Sequence, residues 1–149
     1  MRHVVHATEP RFPACQAGRM SAYKVVNLMD LDNSVGDRAP GLEGRFARKQ
    51  LESRDLGVSH WRYQPNFRAP ASHRHGEQEE AYVVISGSGR VRLGDDIVDL
   101  HQWDVVRVAP EVVRGFESGP DGLEMIAVGG PRPEEGDGQL AEDPWPDES

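Results

Sequence analysis

The sequence predicts an all-β domain, an antiparallel barrel or sandwich. Three observations carry this. Between residues 56 and 128, short runs rich in Val, Ile, Tyr and Phe recur at close spacing. Each run is bounded by Gly, Pro, Asp or Ser clusters, the punctuation of turns. No stretch carries an apolar 3.6-residue period long enough for a helix of more than two turns. Many short strands with such punctuation form barrels or sandwiches.

The elements follow in order. Residues 1–21 read as an irregular arm, with Pro10, Pro13, Gly18 and no periodicity; Met20 is a second candidate start beside Met1. Residues 22–28 read as a first strand, ended by Asp30, Asp32, Asn33 and Ser34. Residues 30–43 contain Gly36, Pro40 and Gly41 and read as a loop. Residues 45–51 fit a strand or a short helix, and their neighbours favour a strand. In 56–63, Leu56, Val58 and His60 share one face and Trp61 and Tyr63 the other. Pro65 ends that strand, and 66–72 is a connector. Strands are then expected at 80–85, 90–93, 97–100, 105–108, 112–116 and 123–128. Turns at 86–89, 94–96, 109–111 and 118–122 and a bend at 101–104 separate them. The barrel domain therefore spans 22–129. Residues 130–149 are acidic and rich in Pro and Gly, the composition of a disordered or loosely docked tail. Trp145 within it is expected to be exposed near a frayed end, with packing onto the body as the alternative.

Composition narrows the function. A length of 149 residues suits one core. The tail holds seven acids (Glu134, Glu135, Asp137, Glu142, Asp143, Asp147, Glu148) against Arg132, so about six of the eight net negative charges lie there. The body is near neutral with no basic stripe, which argues against nucleic acid. A single cysteine, Cys15, allows no internal disulfide, and no base stands beside it to make it a nucleophile. No run approaches the ~18 apolar residues of a membrane span, and the N-terminus lacks the apolar core of a secretory signal. The expectation is a soluble, cytoplasmic protein with no membrane partner.

The chain is organised around His73-Arg74-His75, followed by Glu80 and a short apolar run to Gly87. In a strand, residues i and i+2 share a face, so His73 and His75 project together. The strand beginning at Glu80 can return its carboxylate beside them. Two imidazoles and a carboxylate are the ligand set of a catalytic divalent metal.

This spacing resembles the first motif of the cupin superfamily, G-x5-H-x-H-x3,4-E-x6-G. His73, His75, Glu80 and Gly87 match it, while Phe67 stands where the leading glycine is usual. The spacing to Gly87 selects Glu80 over Glu79. Residues 104–110 resemble the second motif, with Trp103 at a usual glycine and Pro110 at its proline. Arg114 then falls where the family has its last metal-binding histidine, and Glu117 where it has asparagine. The resemblance covers roughly 56–128 and implies a cupin-like antiparallel β-barrel (double-stranded β-helix, or jelly roll). It also implies a homodimer, for which residues 22–28 are the candidate strand.

Two readings of the site stay open. In one, His73, His75 and Glu80 hold Fe, Mn, Ni or Zn, and Arg114 anchors an anionic substrate by bidentate hydrogen bonds. The barrel is then an oxygenase- or isomerase-type enzyme. In the other, Arg114 pairs with Glu80 in place of a metal, because a guanidinium donates no lone pair, and the barrel binds or senses a small molecule without chemistry. His60, Tyr82 and Phe116 are candidate pocket residues, with core packing as their ordinary alternative. His101 and the strand arginines Arg62, Arg90, Arg92 and Arg107 read as solvated. No organic cofactor is indicated.

Overall fold

The structure, a computed structural model, describes residues 21–141 and Trp145. Among these residues the architecture is mostly antiparallel β-sheet, with one four-residue helix and two 3-10 turns. No helix among them is long and apolar enough to cross a membrane. Eight strands form the sheet: β1 (Leu42–Phe46), β2 (Gly57–Tyr63), β3 (Ser72–His75), β4 (Glu80–Leu93), β5 (Asp96–Leu100), β6 (Val105–Val108), β7 (Arg114–Gly129) and β8 (Gly138–Ala141).

Strand β7 is the hub. It pairs with β2 on one side, meets β3 at His73 opposite Arg114, and runs antiparallel to β4 along almost its whole length. Alternation along β4 turns Glu80, Tyr82 and Val84 inward, and Tyr82 and Val84 are buried. Tyr82 stacks against Phe116 at 4.7 Å between ring centroids, and Tyr63 lies 6.5 Å from the same ring. These aromatics, with Leu100, Val108, Leu123 and Met125, make the core. The residues at the start of β4 thus sit on the floor of a packed sheet, which fixes their rotamers.

Several expectations are corrected. Residues 86–89 and 118–122 do not end strands. β4 and β7 continue through them, with register shifts around Gly87 and Gly89. Gly87 has φ +76, and a Cβ there would collide with the carbonyl oxygen of Gly122. The glycines therefore bend a continuous strand pair rather than reverse it. Residues 22–27 form no regular element, and Leu28–Asp30 is a 3-10 turn capped by the Asn27 side chain. The proposed dimerising strand is absent there. Of 45–51, only the start is strand. Arg48–Leu51 (α1) is helical and ends at Glu52 in the left-handed region.

The C-terminal segment departs furthest. Gly138–Ala141 is a strand paired with β3, and Trp145 is only 5% exposed. The intervening residues 142–144, those after Trp145, and the N-terminal arm with Cys15 lie outside the described residues. The Trp145 ring accepts the Arg68 guanidinium at 4.4 Å and Arg90 at 5.7 Å, a cation–π arrangement. Both arginines also pair with Glu117. Arg90 is thus engaged rather than simply solvated, and Arg92 is buried, with Nε donating to the Gly94 carbonyl. Arg107 is exposed and pairs with Glu79.

Burial works to raise the Glu117 carboxyl, but hydrogen bonds from Arg90 and Arg68 outweigh it and hold the group below its ordinary value. A depressed folded-state carboxyl contributes stability above its unfolded value of about 4.3, and that contribution is lost as pH falls through the folded value. Glu117→Gln should therefore flatten the loss of melting temperature below about pH 5. Equal acid slopes for variant and wild type would show that this cluster contributes nothing.

Candidate metal centre

Strand β3 lies between β7 and β8, and its alternation puts His73 and His75 on one face with Arg74 outside. The two imidazole rings stand edge to face, 5.1 Å apart. A tight turn at 76–79 then brings Glu80, the first residue of β4, back beside them. Its Oε2 lies 3.2 Å from His75 Nε2 and 3.7 Å from His73 Nε2. One ligand atom from each of the three residues falls within 4.8 Å of the others. Glu79 takes the opposite face and reaches Arg107.

The polar atoms have unequal fates. The Tyr82 hydroxyl donates to Glu80 Oε2. His75 Nδ1 meets Asp137 Oδ1 at 2.8 Å. A carboxylate only accepts, so the proton sits on Nδ1 and leaves Nε2 bare in the neutral ring. His75 Nε2 is buried with no hydrogen-bond partner, although Glu80 Oε2 lies 3.2 Å away. A buried nitrogen lone pair without a partner is costly in an apolar site. It is the condition that a bound cation relieves.

Arg114 is fully buried, at 0% exposure. Its Nη1 and Nη2 donate to the Pro110 and Ala109 carbonyls, both at 3.3 Å, and its Nε faces Glu80 Oε2 at 3.8 Å without a hydrogen bond. The guanidinium is therefore held mainly by backbone and borders the ligand group instead of filling it.

Electrostatics follow from this packing. Burial works to raise the Glu80 carboxyl, yet the neighbouring His73 and His75 imidazoles and the Tyr82 hydroxyl overcome it and keep the group ionised well below the ordinary carboxylate range. Glu80 raises the His75 imidazole above its ordinary value; burial opposes this and Asp137 adds to it. Burial first, and then the Glu80 charge, push the Tyr82 phenol far up, so it remains a donor.

The site opens into a cavity of about 1300 Å³ whose walls include His73, His75, Glu80, Tyr82, Phe116 and Arg114. Tyr82 and Phe116 belong both to this wall and to the core. His60 is not on the wall. It is 1% exposed on the other face of β2, bonded through Nε2 to Glu124 at 2.6 Å. Strand parity explains this, because Ser59, Trp61 and Tyr63 take the cavity face. Asp137, one of seven tail acids in the sequence, is the site residue that spacing could not single out. Its partner lies 62 positions away and no local pattern marks it.

Two of three ligand-type groups are imidazoles and the third is a carboxylate, a donor set that suits a divalent transition metal with open positions. The residues present fit such an ion.

Comparison with known proteins agrees with this fold. Residues 59–129 match the cupin domain family. A cupin protein from Bacteroides fragilis is 18% identical, with 77% of this chain and 89% of that one covered at a TM-score of 0.62. KdgF from Halomonas sp. is 17% identical, covering 72% and 92% at 0.59. A variant of oxalate decarboxylase from B. subtilis is 22% identical, covering 85% and 34% at 0.70, so this chain spans about a third of that protein. At such identities the likeness is one of fold. No curated protein sequence matches the chain. With the motif residues at 73, 75, 80 and 87 inside the matched segment, residues 59–129 of this chain form a cupin domain.

Proposed function

We propose that this protein is a metal-dependent cupin acting on a small anionic molecule, with chemistry of the oxygenase or isomerase kind. The observation that supports it most is the buried, unpartnered Nε2 of His75, set beside His73 and an ionised Glu80. His73, His75 and Glu80 would hold the ion, with Fe, Mn, Ni and Zn as candidates. A divalent ion there supplies Lewis-acid polarisation of a substrate oxygen. The chain's own residues supply the rest. Arg114 presents a permanent positive charge at the cavity wall, where it attracts a carboxylate or an enolate-like oxygen. Tyr82 keeps its proton and holds Glu80 in place.

The second reading is a metal-free binding barrel in which Arg114 balances Glu80, supported by the 3.8 Å separation of the two groups. It is the weaker reading, because Arg114 directs Nη1 and Nη2 to the Pro110 and Ala109 carbonyls and its Nε makes no hydrogen bond to Glu80.

Metal analysis of protein purified without an affinity tag tests between them. The expected result is near-stoichiometric Fe, Mn, Ni or Zn in the wild type and its loss in His75→Ala. Wild type without metal, with stability unchanged in His73→Ala, would sink the metal reading.

A further inference from the structure

We propose that Asp137, delivered by the C-terminal strand, is a positioning residue of this site: it holds the His75 ring so that Nε2 is bare and turned toward His73 and Glu80. Its metal-binding consequence rests on the function proposed above; the ring orientation does not.

Asp137 is itself firmly held. Oδ1 takes His75 Nδ1 at 2.8 Å, while Oδ2 accepts from the Glu77 and Gln78 amides at 2.7 and 2.8 Å. One carboxylate thus ties a ligand ring to the turn that leads on to Glu80. An ionised carboxylate has no proton to give, so Asp137 is the acceptor in all three contacts.

The segment that brings Asp137 in is fastened along its length. At its start, the Gly130 carbonyl accepts from Gln78 Nε2 and Arg48 Nη2, each at 3.0 Å. In its middle, β8 pairs with β3 from Ser72 opposite Ala141 to His75 opposite Gly138. At its end, buried Trp145 packs near Gly115, the residue after Arg114, and under Arg68. A loose acidic tail would show none of these contacts. Partners that orient a ligating histidine through its other nitrogen commonly change metal affinity by about 10–100-fold when removed.

The test reads the ring and the metal separately. Long-range 1H–15N NMR of metal-free protein, at a pH where imidazoles are neutral, reports the His75 tautomer. Wild type should carry its proton on Nδ1, and in Asp137→Ala the proton should shift toward Nε2. Calorimetric titration with Ni2+ should show affinity falling about 10–100-fold in Asp137→Ala, and less in Asp137→Asn, which keeps one acceptor oxygen. Circular dichroism checks that the sheet is intact. A wild type protonated at Nε2 overturns the proposal with no variant needed, and so does a folded Asp137→Ala that keeps the Nδ1 tautomer. Should Asp137→Ala not fold, the wild-type tautomer and the Asp137→Asn affinity decide it, with unchanged Asn affinity counting against. An Nδ1 proton in a wild type that binds no Ni2+ upholds the positioning role and sinks the metal reading instead.

Discussion

Replacing Glu80 with alanine should lower folding stability by about 3–5 kcal/mol, the usual cost of removing one partner from a buried charged group. Glu80 is the acceptor for Tyr82 and the counter-charge for Arg114, and it lies beside His73 and His75. Without it the buried Arg114 guanidinium keeps only two backbone carbonyls, and the buried Tyr82 hydroxyl loses its acceptor. Divalent-metal binding should vanish with the carboxylate. Urea denaturation measures the first effect and metal titration the second. The double variant Glu80→Ala/Arg114→Leu separates the causes. It should recover much of the lost stability, because a buried ion pair replaced by apolar side chains is often close to neutral. A Glu80→Ala loss under about 1 kcal/mol, typical of an exposed pair, would show that Arg114 is balanced elsewhere.

Arg114→His should act in the opposite direction on metal, tightening Ni2+ binding by at least about tenfold, or ~1.4 kcal/mol. The reason is geometric as well as electrostatic. Counted along the side chain, histidine Nε2 is as many bonds from Cα as arginine Nε. The Arg114 Nε stands 3.8 Å from Glu80 Oε2, a separation within the span of the other ligand atoms. An imidazole there offers a lone pair and removes a positive charge. At ~4 Å and an intermediate dielectric that charge repels each unit of cation charge by several kcal/mol before compensation. The same change should weaken binding of a small carboxylate ligand, since the permanent cation is gone. Unaltered Ni2+ affinity would mean that residue 114 does not reach the metal.

Much of this was legible in the sequence because it is local. The period-two alternation that places His73 with His75, and Glu80 with Tyr82, is read from neighbours in the chain. The arginine at 114 was located by spacing from Pro110. What was hidden depends on distant pairing. Gly87 looks the same in a turn as in a bent strand, and only the presence of β7 alongside distinguishes the two. The stretch 22–28 has strand-like composition, yet no strand of the sheet pairs with it. Acidic composition concealed β8, Asp137 and Trp145, whose partners lie on β3, in the turn after it, and at Arg68. Alternation separates His60 from Trp61 and Tyr63, but which of those two faces meets the cavity depends on the distant strands that close it.

The long reach from His75 to Asp137 also has a consequence for how the protein is made. His73, His75 and Glu80 are synthesised close together, but the carboxylate that orients His75 follows only 62 residues later. Contacts so remote in sequence carry a larger loop-closure cost than the local pairing of the three side chains. On the ribosome, the three ligands therefore emerge well before their orienting group. A nascent chain therefore presents these side chains unoriented first and the arranged group only once its C-terminal strand has docked.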